Sequence, residues 1–199
     1  MTHGAIYLQL RTDAHVQARA KKAAQWMGLV FIISFAVAGL WVAYGIDGYI
    51  LTSHQDFNAA LNPLSKTVSI SSGAWLNNYQ SYPWMMAAPL IGFLGMMFAL
   101  LNAKFKNEGL AFIGSSLSIA GVILTAGFSM FPFVMPSATD PVSSLTMWDA
   151  VSSKKTMGIM LVVTLIFLPL ILFYTSWVFS VLRGKVTLQT IQDHTNSMY

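Results

Sequence analysis

Thr156–Leu182 reads TMGIMLVVTLIFLPLILFYTSWVFSVL, 27 consecutive residues without one Asp, Glu, Lys, Arg or His. A helix crossing the hydrocarbon core of a bilayer needs about 20 such residues. Three other runs meet the requirement, Trp26–Ile46, Trp84–Ala103 and Leu110–Val134, and none holds any of those five residue types. Buried helices of soluble proteins are usually shorter and keep a polar face. The reading is therefore an all-α integral membrane protein, a four-transmembrane-helix bundle forming a single membrane domain over residues 1–199. Trp26, Trp41, Tyr44, Trp84, Tyr174 and Trp177 lie toward the run ends, where amphipathic rings settle at the membrane interface.

Composition agrees with lipid as the solvent. Only 9% of residues are charged, against about a quarter in soluble domains, and mean hydropathy is +0.60. A net charge of +4 would suggest nucleic acid in a soluble protein. Here the basic residues flank apolar runs and mark orientation instead, so no nucleic-acid partner is expected. The chain has no cysteine, which excludes disulfides, iron–sulfur clusters and thiol catalysis. Met1–Ala20 does not read as a signal peptide, because Arg11 and Arg19 follow its short apolar stretch.

Arg11, Arg19, Lys21, Lys22, Lys104, Lys106, Arg183 and Lys185 share one side of a four-span chain. The opposite side carries Lys66, Lys154 and Lys155 against Asp47, Asp56, Asp140 and Asp149. The positive-inside rule then predicts cytoplasmic N- and C-terminal segments. The connection at Asn102–Gly109 is short and predicts an antiparallel helical hairpin. The outer connection, residues 47–83, is long and polar. Amphipathic pieces around Phe57–Leu64 and Thr67–Tyr79, with Trp75, Tyr79 and Tyr82, predict a structured cap. The connection at Met135–Lys155 is rich in Pro and Ser and contains Trp148-Asp149.

Helices in lipid associate through close backbone approach and polar contacts. Ala88, Gly92, Gly95 and Ala99 recur on one face of the second span, and Gly114, Ser118, Gly121 and Thr125 on one face of the third. These predict a tight seam, with Gly92, Gly95, Gly114 and Gly121 as its packing positions. Pro169 inside the last span predicts a kink.

The search for chemistry is mostly negative. His3, His15, His54 and His194 all lie outside the four runs, so no histidine is expected as a haem ligand at membrane depth. Met85, Met86, Met96, Met97, Met130 and Met160 read as packing residues. No metal-ligand spacing, phosphate-binding glycine loop or dinucleotide turn occurs. Carriers usually keep an ionisable residue in the membrane, and these runs have none. Catalytic, cofactor-binding and metal-binding residues are therefore all expected to be none. Asp47, Trp148 and Asp149, at the outer boundary, are candidates for fixing the long loops. The competing reading is a small transporter or channel module working as an oligomer.

Several stretches together resemble subunit II of the cytochrome bd quinol oxidase family. They are Tyr7-Leu8-Gln9-Leu10 with Arg11-Thr12, WVAYGIDGY at Trp41–Tyr49, Ser115-Ser116-Leu117, and Ala126-Gly127. MFPFVMPS at Met130–Ser137 and SLTMWDA at Ser144–Ala150 are the longest. LFYTSW at Leu172–Trp177, Gly184–Thr187 and Ser197-Met198-Tyr199 complete the series.

The resemblance implies a haem-free scaffold subunit in a complex that oxidises quinol and reduces dioxygen to water, generating a proton gradient. Two haem b and one haem d are then expected in subunit I, the main partner, along with quinone and membrane lipid. The family uses about eight spans in two four-helix halves, and this sequence resembles the C-terminal half, its residues before Arg11 matching the end of a fourth span. The N-terminal half of subunit II is therefore a further expected partner.

Overall fold

A computed structural model describes residues 1–53, 62, 65–105 and 107–181. His54, His194, Lys106, Arg183, Lys185, Asp56, nearly all of the predicted piece at Phe57–Leu64 and the last two family-like stretches lie outside the described residues.

The chain opens on a ten-residue helix, α1 (Thr2–Arg11), and turns through Thr12 and Asp13 into α2 (Ala14–Tyr44). At 1.5 Å per residue, the 31 residues of α2 extend for about 46 Å, well beyond a hydrocarbon core of roughly 30 Å. This explains why the helix begins twelve residues before the apolar run at Trp26. Ala-, Gln- and Lys-rich residues 14–25 favour helix without needing lipid.

The next spans are α4 (Ala87–Lys104), entered through a 3₁₀ turn at Pro83–Met86, and α5 (Glu108–Met130). They form the antiparallel hairpin that the short connection predicts. Pro83 at the start of the turn needs no amide partner, and Pro89 sits in the first helical turn, where an amide would be unpaired anyway. The last span, α6 (Lys154–Val181), continues through Pro169 and has no buried residue. Among the described residues, four helices are long and apolar enough to cross a membrane: α2, α4 with its 3₁₀ turn, α5 and α6.

The connections between spans contain β-structure that the all-helical reading did not include. β1 (Asp47–Leu51) pairs antiparallel with β2 (Val68–Ser72), Asp47 opposite Ser72 and Leu51 opposite Val68. Gly73, at φ 71°, makes the left-handed turn from β2 into a 3₁₀ turn at Ala74–Leu76, and α3 (Asn77–Ser81) follows. The predicted amphipathic piece at Thr67–Tyr79 is thus a strand, a turn and a short helix. A second ladder joins β3 (Phe133–Met135) to β4 (Leu145–Thr146). Val134, assigned to a span from hydropathy, belongs to β3, because α5 stops at Met130 ahead of Pro132.

One hydrophobic cluster lies at the basic end of the bundle. Ile6 of α1 is enclosed by Ala24, Ala99, Ala103 and Ala111 from α2, α4 and α5. Alanine at all four positions lets three backbones close around one branched side chain.

Candidate functional site

Two places gather polar side chains: the face formed by the β-ladders, and the groove between α1 and α5.

On the ladder face, Lys66 and Asp149 form an ion pair of 3.0 Å with side chains 0% and 1% exposed. The same Asp149 oxygen, Oδ2, accepts from the Thr146 amide at 2.9 Å and the Thr146 hydroxyl at 2.7 Å. The pair therefore ties the connection before α3 to the connection before α6, residues 83 positions apart. An aromatic cluster lies in the same cap. Tyr49, Trp75 and Phe133 sit with ring centroids 5.4 to 6.0 Å apart. The Tyr49 hydroxyl donates to Ser137 O at 2.7 Å.

Below it, the cap grips the end of α5. Asn78 Nδ2 donates to Phe128 O at 2.8 Å and Phe131 O at 2.6 Å. The Ser129 hydroxyl donates to Trp75 O, and the Tyr79 hydroxyl to Thr125 O at 2.7 Å. Carbonyls at a helix end have no partner within the helix, and Asn78 fills that role for Phe128. Burial pushes the Tyr79 phenol above its ordinary value of 10.0, the bond to Thr125 acting the other way.

Of the three loop candidates, Asp149 is in the ion pair, and Trp148 packs its ring 6.2 Å from Phe131. Asp47 is exposed at the start of β1, opposite Ser72 and apart from that cluster. Sequence reasoning missed Lys66, Tyr49 and Asn78. A signal for Lys66 was present, since it is the one Lys or Arg in the connection over residues 47–83, which also holds Asp47 and Asp56.

The glycines at the four packing positions line the α4–α5 contact. A Cβ on Gly95 would stand 2.8 Å from Ser118 N, and one on Gly114 3.0 Å from Ala99 N. One on Gly121 would collide with the Gly92 amide. Gly92 differs, because its own Cβ position faces Phe35 of α2 at 3.1 Å. Between these glycines the fully buried Ser118 donates to Gly92 O at 2.7 Å.

In the second place, α1 lies along the Glu108 half of α5. His3 Nδ1 is 2.8 Å from the Ser115 hydroxyl, and its ring is 4.6 Å from that of Phe112. Gln9 Nε2 donates to Ala103 O at 2.9 Å, and Gln17 Nε2 to Glu108 at 2.6 Å. His3, outside the four apolar runs in sequence, thus stands beside one of them in space.

Among the described residues, no three His, Cys, Asp or Glu side chains converge as a metal site. Haem is the cofactor that the resemblance implies, and the described histidines are His3 and His15. His3 is engaged with Ser115, and His15 is exposed on α2. A groove of about 700 Å³ is lined by Phe35, Leu40, Tyr79, Met86, Pro89, Phe93 and their neighbours, with one methionine and no histidine.

Fold and polar groups together define a helical protein with four candidate membrane spans, whose described polar contacts join helices and connections to one another. The family model of cytochrome bd terminal oxidase subunit II matches residues 1–182, so the chain belongs to that family. It is 45% identical over all 199 residues to cytochrome bd-I ubiquinol oxidase subunit 2 of Escherichia coli K12, covering 52% of that protein. Identity is 40% to the probable cytochrome oxidase subunit 2 of Haemophilus influenzae, again over 52% of its length. With cytochrome bd ubiquinol oxidase subunit 2 of Bacillus subtilis it is 29% over 189 residues. The chain spans about half the length of the curated relatives it matches.

Proposed function

We propose that this chain is a haem-free, four-span part of subunit II in a bd-type quinol:oxygen oxidoreductase of a bacterial respiratory chain. Its partners are a haem-bearing subunit I, quinol, membrane lipid and the remainder of subunit II. The complex oxidises quinol and reduces dioxygen to water, generating a proton gradient, with the reaction centred on haems outside this chain. Residues 1–199 act as one membrane domain with both termini in the cytoplasm, which puts the ladders on the outer face.

The observation that carries this reading is the family match across residues 1–182, which takes in all four candidate spans. The contacts within the chain support the scaffold role. Gly95, Gly114 and Gly121 admit neighbouring backbone, and Asp149 anchors one outer connection to another through Lys66. Trp148 and Asp47 are assigned to the same outer cap, Asp47 at the mouth of its first hairpin.

The test is to purify the chain by an affinity tag from its own cells in mild detergent. A larger chain with b- and d-type haem absorbance should accompany it, and the pair should consume oxygen with quinol. Recovery without a haem-bearing chain would refute the assignment.

A further inference from the structure

An apolar groove at membrane depth does not stay empty, because walls that face a void lose their dispersion contacts. The groove of about 700 Å³ between α2 and α4 is of that kind, and ligand sites generally measure about 300–1,000 Å³. One wall is α2, through Phe35, Ala36, Gly39 and Leu40, and the other is α4, through Pro89 and Phe93. The rings of Phe35 and Phe93, 4.7 Å apart, join the two walls. Glycine keeps the space open, since a Cβ built on Gly39 would meet nothing within 4 Å. From the cap, Leu76, Tyr79 and Gln80 also line it. The Tyr79 hydroxyl reaches Thr125 O, five residues before the end of α5 and so roughly 8 Å below that end.

Three features select the occupant. The lining has no charged side chain, and both wall helices are candidate membrane spans. Gly39, Leu40 and Met86 on the lining are exposed, so the groove is continuous with the surface that those spans turn to lipid. Next, a helix is about 10–12 Å across, and one laid between α2 and α4 would run into Leu76 and Tyr79 before reaching water. A single hydrocarbon chain is far narrower and can end beneath them. Last, the rim offers groups for an ester or headgroup. They are the exposed carboxamide of Gln80 and the exposed indoles of Trp41 and Trp84, which flank Leu40 and Met86 in sequence.

We infer that this groove is a lipid site, holding one acyl chain of a bilayer phospholipid whose headgroup stays outside at the level of Gln80. Moving the chain out of bulk lipid gains no hydrophobic energy, since lipid tails are as apolar as leucine. What retains it is packing against Phe35, Pro89 and Phe93, and the void that its departure would leave. With no charge on the lining, the site takes neutral and anionic phospholipids alike. The inference rests on the spans and not on the oxidase assignment.

The probe is a phosphatidylcholine with a photoactivatable diazirine on one acyl chain, incorporated into membranes that hold the intact complex. The complex is extracted through a tag on this chain, washed free of loose lipid in mild detergent and irradiated, and adducts are mapped by mass spectrometry. A sample irradiated before extraction is the reference. Adducts at Gly39, Leu40 and Phe93 should survive the wash, while those elsewhere on the lipid-facing surface fall about tenfold. A phosphatidylglycerol probe should label the groove equally. Gly39→Leu, which fills the groove, should cut its adducts about fivefold and leave the rest of the reference pattern unchanged. Gly39→Ala serves if the leucine prevents assembly, and should cut them about twofold. Groove adducts that wash out in step with the others would overturn the inference, as would labelling indifferent to both substitutions. So would a groove unlabelled in the reference beside labelled surface elsewhere, the outcome expected if protein or a quinone tail fills it. None of these readouts uses turnover or haem, so failure of the oxidase assignment would be seen separately as a missing haem-bearing partner.

Discussion

One oxygen of Asp149 receives a lysine ammonium, a backbone amide and a hydroxyl, all within 3.0 Å and out of contact with solvent. Removing one partner of such a pair leaves the other charge buried and costs about 3–5 kcal/mol, whereas replacing both with apolar groups can be nearly neutral. Asp149→Asn should therefore lower the thermal midpoint of the purified complex and loosen its haem. Lys66→Met combined with Asp149→Leu should recover only part of the loss, because the buried Thr146 amide and hydroxyl then lose their acceptor. Assembly and haem content unchanged in Asp149→Asn would show that the charge does not anchor the loops. Tyr79 gives a contrasting expectation. Its folded-state value is raised above 10, so the neutral phenol is the stabilised form. Its contribution is present below about pH 10 and is lost only as pH rises through the higher folded value. Tyr79→Phe should thus weaken the cap by about 1 kcal/mol, equally at pH 6 and 8 in a melting assay.

At the scale of elements, the α4–α5 seam depends on hydrogen in place of Cβ at Gly121, Gly95 and Gly114. Gly121→Leu would drive a side chain into the Gly92 backbone, and overpacking of that kind costs about 1–3 kcal/mol or more. Lower yield and a lower melting midpoint of the complex should follow. Ser118→Ala removes one bond to Gly92 O and should cost only about 0.6 kcal/mol, the mean for such bonds between membrane helices. The seam was readable beforehand, because small residues at helical spacing survive as a pattern in the sequence. The spans were readable too, through length and the absence of charge. The strands were not. Val68-Ser-Ile-Ser-Ser alternates apolar and polar residues, but five residues carry too little periodicity to stand out from a loop. The Lys66–Asp149 pair escaped for another reason: no local pattern links residues in separate connections. His3 lies on a ten-residue helix too short to register as a span from hydropathy, and only the family resemblance put it near one.

For the molecule as a whole, burial is uneven. The α4–α5 hairpin, α1 and the basic end of α2 share the small core, while α6 has no buried residue and α2 is almost bare along its apolar window. Apolar surface of this kind needs no protein cover in lipid, since lipid tails solvate it as well as leucine does. The relatives are about twice as long, and the proposed scaffold role requires surfaces that face neighbours. The central claim is that this chain supports a haem reaction without holding a haem. The most direct measurement is to isolate the native complex through a tag on this chain, confirm its reduced-minus-oxidised haem spectrum, and then dissociate it and assay each separated chain for haem. The account predicts b- and d-type haem in the intact complex and essentially all of it on the larger partner after separation. Haem that remains with this chain, ligated by its own side chains, would contradict it.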